Sequence, residues 1–343
     1  MKIILQLRHV CLMTGILLPV WCHAEVVVDN SFGTGKTIEA NNSNYVIDHN
    51  QGNLVESNLF HSFETFSIET GHTATFTGPD GVQNIISRVT GDSSSNINGG
   101  ISSPIPGVNF WLLNPNGILF GENASIDIQG SFHASTADYL KLRNDGIKIS
   151  TDSTIFTNSP PFAFGFVDRP DDSRKIVINN AQLSVNDDSN ISFVGSNIEI
   201  NNSLITAKGG NISVVSIADS GEVLYSDQGL DSSDISEFGN LSINSTGFSV
   251  NKNQKGELDI KGGNIEINSH DTDIVNGISN LNVAFTENDV LLDEPCELAS
   301  YHNQGTLSFI VNVDEDKTEY DLEGGIDDDG QSAIGSIKSL ECL

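Results

Sequence analysis

Ile176-Val-Ile-Asn-Asn-Ala-Gln-Leu-Ser-Val-Asn-Asp-Asp-Ser-Asn-Ile-Ser-Phe-Val194 is followed by Ile198-Glu-Ile-Asn-Asn-Ser-Leu-Ile-Thr-Ala-Lys-Gly-Gly-Asn-Ile-Ser-Val-Val215, the same three short apolar runs in the same order. Runs beginning near Ile176, Leu183 and Ile191 recur near Ile198, Leu204 and Ile212, at offsets of 22, 21 and 21 residues. Three short strands per repeat of this length suit a parallel β-helix, whose coils stack in register at the strand spacing of about 4.8 Å. A β-sandwich needs no such register. Alternation within the runs predicts Ile198, Ile200, Ile212 and Val214 inward, with Glu199, Asn201 and Ser213 facing water. Asn, Gly and Ser between the runs suit corners that need positive φ. Lys208-Gly-Gly-Asn-Ile212 returns as Lys261-Gly-Gly-Asn-Ile265, and Gly239-Asn-Leu-Ser-Ile243 is a partial copy. Coils are therefore expected to reach about residue 285, with loops or irregular coils near 219–237 and 250–257. No stretch after residue 24 shows a sustained helical period, so the fold class is all-β.

Upstream, Phe110-Trp-Leu-Leu-Asn-Pro-Asn-Gly-Ile-Leu-Phe-Gly121 places a turn between two apolar strands. Pro115 fixes φ at the second position of a type I turn, and Asn114, Asn116 and Gly117 tolerate tight backbone. Around it lie Leu59-Phe-His-Ser-Phe-Glu-Thr-Phe66, Asn84-Ile-Ile-Ser-Arg-Val-Thr-Gly91 and Ala124-Ser-Ile-Asp-Ile-Gln-Gly-Ser-Phe-His-Ala-Ser-Thr-Ala-Asp138. In order and spacing these blocks resemble the filamentous-haemagglutinin amino-terminal domain, the secretion domain of two-partner secretion exoproteins, from about Val27 to about Tyr225. The resemblance implies a right-handed parallel β-helix with an amino-terminal β cap, here Val26 to Ile47. It also implies export through an outer-membrane pore whose periplasmic POTRA domains bind the domain while it is still unfolded or partly folded. The family's motif falls on Asn114, Pro115, Asn116, Gly117 and Ile118, either as a contact for the transporter or as a structural turn. A second family motif, Asn-Pro-Asn-Leu, is replaced by Gly78-Pro-Asp-Gly-Val-Gln-Asn-Ile-Ile86, which leaves the identity of the partner open.

Lys2 and Arg8, the apolar run from Val10 to Val20, and Cys22-His-Ala24 read as a Sec signal peptide over residues 1–24. Export by the Sec translocon to the periplasm, then secretion or display on the surface of a Gram-negative-type bacterium, follows as the expectation. The expected organisation is that signal, a β-helix domain over 25–290 and an acidic tail over 291–343. All 46 Asp and Glu but only 14 of the 16 Lys and Arg lie after residue 24, a net charge of −32 that repels nucleic acid and anionic lipid. With Cys11 and Cys22 in the signal, Cys296 and Cys342 remain, and one disulfide in an oxidising compartment would close a loop of about 46 residues worth on the order of 4 kcal/mol.

No cofactor or metal is expected, although the carboxylates between 314 and 329 keep Ca²⁺ as an alternative at the tail; they match no EF-hand frame. His61, His72 and His133 read as strand-surface residues, and Phe60, Phe63 and Phe66 as core or cap residues. The expected activity is adhesion, through a glycan or another feature of a host or neighbouring cell surface. The alternative is an extracellular β-helical enzyme degrading polysaccharide, for which Asp171-Asp172 and Asp187-Asp188 are the carboxylate pairs on offer. Adjacent residues on a strand point to opposite faces, and no basic cluster accompanies these acids, so a catalytic set is not expected.

Overall fold

The computed structural model describes residues 25–262 apart from 145, 168–173, 227–228, 245 and 250–257. Beyond them it describes the backbone of strands at Asn264–Asn268, Leu281–Phe285, Leu291–Asp293, Gly305–Asn312, Glu319–Ile326 and Ser332–Glu341. The signal segment, Cys296 and Cys342 lie outside the described residues.

Parallel strands stack into a coil with three faces. The first face holds Asn58–Phe66, Asn84–Val89, Asn109–Leu113, Phe132–Ser135, Ile191–Gly195, Ile212–Ser216 and Leu258–Lys261, each parallel to the next. The second runs from Ser95–Ile97 through Ile118–Phe120, Lys175–Asn179 and Asn197–Asn201 to Asn240–Asn244. The third begins with Asn44–Asp48, Thr73–Thr77, Gly100–Ser102 and Ser125–Asp127. It continues as a separate sheet of Gln182–Ser184, Leu204–Thr206 and Gly247–Ser249. This is the predicted β-helix, and Val26–Val28 caps its amino-terminal end by pairing antiparallel with both Lys36–Thr37 and Asn58–Phe66.

The repeat fixes these coils for a simple reason: a 22-residue period returns each aliphatic to the same inward row. Ile176 pairs with Ile198 and Ile178 with Ile200, and all four are fully buried in the lumen with Phe110, Phe132 and Phe193. Asn179, Asn201 and Asn244 stack outside, Asn201 Nδ2 donating to Asn179 Oδ1 at 2.7 Å and Asn244 Nδ2 to Asn201 Oδ1 at 2.6 Å. The next residue turns the corner in left-handed conformation, Asn180 at φ 54° and Asn202 at φ 47°, which asparagine tolerates better than a bulkier side chain.

Three expectations are corrected. Leu183 pairs with Ile205, not Leu204; Leu204 points outward and is 44% exposed, because a strand shifted by one residue presents its other side. The two Lys-Gly-Gly-Asn-Ile copies are not equivalent. Ile212 opens a first-face strand and pairs with Leu258, whereas Ile265 lies on the second face and pairs with Leu241. Of the loops or irregular coils expected near 219–237 the structure shows a loop, in which Gly221–Ser226 and Gly229–Asp231 form a hairpin in a separate antiparallel sheet. The end of the chain also holds more than the one strand expected at 307–313. Gly305–Asn312 pairs antiparallel with Leu281–Phe285, and Glu319–Ile326 and Ser332–Glu341 follow it as an antiparallel meander.

That separate sheet is the main departure from a bare solenoid. Two excursions leave the coil between the first and second faces, at residues 136–174 and 217–239, and they pair with each other. Its order is Lys148–Ser150, Tyr139–Leu142, Pro161–Phe166, Gly221–Ser226, Gly229–Asp231. It lies on the outside of the first face, where Phe60, Ile86, Trp111, Leu113, Val194 and Val215 pack against Leu140, Phe164, Val223 and Tyr225. The first face is therefore buried on both sides, which overturns the placement of Ser213, His61 and His133 at the surface: all three are 1% exposed or less. Ser213 and His133 lie under the flanking sheet, and His61 is turned toward Phe63 and Phe76 in the first coil.

Candidate functional site

The turn motif sits at the corner between Asn109–Leu113 on the first face and Ile118–Phe120 on the second. The Gly117 amide donates to the Asn114 carbonyl at 3.1 Å, closing a four-residue turn with Pro115 at its second position. Gly117 has φ 106°, where a side chain would be strained. The Asn114 side chain is fully buried. Its Nδ2 donates to the Ser93 carbonyl and Ser95 Oγ, both at 3.0 Å, and its Oδ1 accepts from the Asn116 amide at 3.0 Å. Asn116 Nδ2 reaches back to the Gly91 carbonyl at 2.8 Å. The turn is thus tied to the preceding corner at 91–95, and the Asn114 amide extends the tie forward to the Ser135 carbonyl at 3.0 Å. Gly117 and Ile118 are buried as well, so only Pro115 and Asn116 of the five motif residues reach the surface.

Those two line a cleft of about 550 Å³ between the turn and the flanking sheet, with Asp138, Tyr139, Lys148, Asp152 and Arg174 around it. Asp138 Oδ1 pairs with Arg174 Nη1 at 2.7 Å, and its Oδ2 accepts from the Val167 amide at 2.8 Å. Tyr139 lies across Gly165, where a Cβ would come within 2.0 Å of the ring, and donates to Glu222 Oε1 at 2.8 Å. Burial, aided by that bond and the Glu222 charge, pushes the Tyr139 phenol up to about 12. Burial opposes ionisation of Glu222, but the bonds from Lys141 (2.7 Å) and Tyr139 outweigh it and hold the carboxyl below its ordinary range. Lys148 Nζ stands 3.9 Å from the Tyr139 ring centre. The outer edge of Lys148–Ser150 is closed by its own turn, since Ser153 Oγ donates to the Lys148 carbonyl at 2.7 Å and accepts from the Ser150 amide at 2.8 Å. That edge is thereby withdrawn from pairing with another chain.

Behind the cleft, the buried Arg88 ties the cap, the coils and the flanking sheet together. Its Nε donates to Ser62 Oγ at 2.9 Å, Nη2 to Ser31 Oγ at 3.1 Å and Nη1 to the Ser150 carbonyl. Ser62 in turn donates to Asp29 at 2.6 Å, and Thr90 does so at 2.7 Å. Burial works against the Asp29 charge, yet the bonds from Ser62, Thr90 and Ser31 hold its carboxyl below the ordinary range. No motif announces this network; the signal for it is a lone arginine inside the otherwise uncharged strand Asn84-Ile-Ile-Ser-Arg-Val89.

The enzyme reading gains no site from this arrangement. Asp188 occupies a turn at φ 64°, and Asp171-Asp172 lies outside the described residues. Among the described residues no three His, Cys, Asp or Glu side chains converge in a way that could hold a metal ion, and the carboxylates proposed for Ca²⁺ lie outside the described side chains.

A family model for the TPS secretion domain matches residues 24–260. Among solved structures, the chain is similar to the secretion domain of HMW1 from Haemophilus influenzae at 19% identity with a TM-score of 0.41, over 67% of this chain and 66% of that one. The chain thus spans slightly less than two thirds of the length of that structure. No curated protein matches it.

Proposed function

The chain belongs to the TPS secretion-domain family, and from that premise we propose that it is a two-partner secretion exoprotein which crosses the outer membrane through a cognate pore and acts outside in adhesion. Delivery begins with the Sec signal over residues 1–24, and the POTRA domains of the pore meet the chain in the periplasm before its coils have closed. The observation that carries this reading is the turn at 114–117. Its buried members shape the corner, and its two surface members border a polar cleft.

The two roles of the motif divide along burial. Asn114, Gly117 and Ile118 serve the folded corner alone, while Pro115 and Asn116 help shape the turn, Asn116 through its bond to the Gly91 carbonyl, and also present a surface that recognition can use. Secretion is measured as the ratio of external to periplasmic protein in cells carrying the neighbouring pore gene, and again after deletion of that gene. Deletion should trap the chain in the periplasm; unchanged export would sink the proposal. Asn116→Ser removes the bond to the Gly91 carbonyl and should lower the unfolding midpoint slightly; if recognition uses the surface pair, export falls well beyond that of Ser95→Ala, which removes a comparable bond to Asn114 inside the corner. Equal losses of export in the two variants would assign the motif to the turn alone.

Adhesion through a cell-surface glycan is the activity expected of the exported coil, and whole-cell binding with and without the secreted protein tests it. A Cys296–Cys342 disulfide would hold the end of the chain and favour retention at the surface. Unchanged retention after both are replaced by Ser would remove that part of the proposal.

A further inference from the structure

His133 occupies the middle of the seam between the first face and the flanking sheet. Its ring is fully buried, stacks on Trp111 with centroids 4.0 Å apart and meets Tyr225 edge-on at 4.7 Å. Trp111 belongs to a coil strand and Tyr225 to the flanking hairpin, so the imidazole forms part of the contact between the two layers. Neither of its ring nitrogens has a hydrogen-bond partner among the described residues.

The groups facing this ring are uncharged. Trp111 and Ser192 flank it on the neighbouring coils, and the titratable group above it is Tyr225. Farther along the same outward row come Ser213 and then Asp259, whose carboxylate is drawn to Lys261 at 3.1 Å. On the flanking sheet, Glu222 is engaged by Tyr139 and Lys141. Burial alone pushes the imidazole down to about 3. A histidine so enclosed, with no anion beside it, takes up a proton only when it reaches water.

We propose that His133 makes the seam acid-labile, so that acidification lifts the flanking sheet from the coil before the coil itself unravels. The imidazole binds a proton more weakly in the closed seam than in the open one. The closed seam therefore has its full stability above about pH 6.5, the ordinary histidine value, and loses it as the pH falls below that. One proton per opening raises the opening constant about tenfold for each pH unit. His61 provides the contrast. It is buried in the lumen against Phe63 and Phe76, with Asp48 and His49 as the nearest titratable groups. Unravelling the coil exposes both histidines, with a slope nearer a hundredfold per unit.

Hydrogen exchange of the full chain between pH 6.5 and 5.0, corrected for intrinsic rates, tests the proposal. Amides of Leu140, Phe164 and Val223 should open about sixteenfold more over that range, the slope approaching tenfold per unit at its acid end, while those of Ile198 and Ile200 open far less often at every pH. Fluorescence of Trp111, in a chain carrying Trp21→Phe so that it is the sole indole, should change in the same range ahead of the far-ultraviolet β-sheet signal. His133→Phe should flatten the flanking-sheet slope, and His133→Gln serves the same purpose if the Phe variant does not fold. The half-buried His72, changed to Gln, should leave the slope as it was. Flanking-sheet and lumen amides opening together with one slope, or a tenfold slope that survives the substitution of His133, would overturn the proposal.

Discussion

The two sides of the first face are made from the same strands and obey different rules. Inward, Ile85, Phe110, Leu112, Phe132, Phe193 and Val214 belong to the lumen, where each coil repeats the last. Outward, Ile86, Trp111, Leu113, Val194 and Val215 meet the flanking sheet, which is assembled from two excursions that share no repeat. The inner side is periodic because every coil solves the same packing problem. The outer side is a tertiary contact made once, between segments far apart in the chain.

Substitutions that act on one side only can break this contrast or sharpen it. The largest effect is expected inside: Phe193→Ala removes a fully buried ring and should cost about 3–5 kcal/mol, read as a lower denaturant midpoint for all the β-structure at once. Arg88→Met should cost about 3 kcal/mol, because it leaves Asp29 and its hydroxyl partners buried without the cation that completes them. Its signature is a loosened cap and flanking sheet in hydrogen exchange, with the later coils at 197–216 protected as before. The same network gives a pH effect. The Asp29 carboxyl is held below its ordinary range, so its stabilisation is complete above the unfolded value near 3.9 and disappears as the pH falls through the folded one. Asp29→Asn should lose that portion of acid sensitivity in pH-dependent denaturation.

Gly165→Ala acts on the outer side alone. The new methyl collides with the Tyr139 ring, displaces it from Glu222 and should cost about 1–3 kcal/mol, seen as faster exchange in the flanking sheet with an unchanged lumen. If the coils were destabilised equally, the two layers would be one cooperative unit and the contrast would fail. The smallest effect belongs to Lys175→Ala on the second face. Its pair with Glu199 at 2.8 Å has both side chains 40% exposed or more, and pairs of that kind contribute about 0.2–1 kcal/mol.

Much of the outer contact was in fact written in the strands. Ile198-Glu-Ile200 alternates, as a strand with one wet side should, whereas Phe110-Trp-Leu-Leu113, Phe193-Val194 and Val214-Val215 are apolar without interruption. Continuous apolar runs mark strands covered on both sides, and they foretell a second layer without saying what supplies it. The turn at 114–117 was legible from Pro115 and Gly117, because their dihedral demands are local. That Asn114 would be buried, and that Asn116 would border a cleft, was not legible, since both depend on the neighbouring corner at 91–95 and on the flanking sheet.

By itself, the sequence determined the coil: its three faces, its step of 21 or 22 residues and the aliphatic rows of its lumen between 176 and 215, because a period is a local property that each repeat restates. It also determined family membership, through blocks whose order survives in the chain. Only the tertiary structure decided the register at Leu204, the inequivalence of the two Lys-Gly-Gly-Asn-Ile copies, the enclosure of His133 and the network around Arg88. Each of these depends on which distant segment arrives opposite a residue, and composition and spacing along one strand carry no record of that.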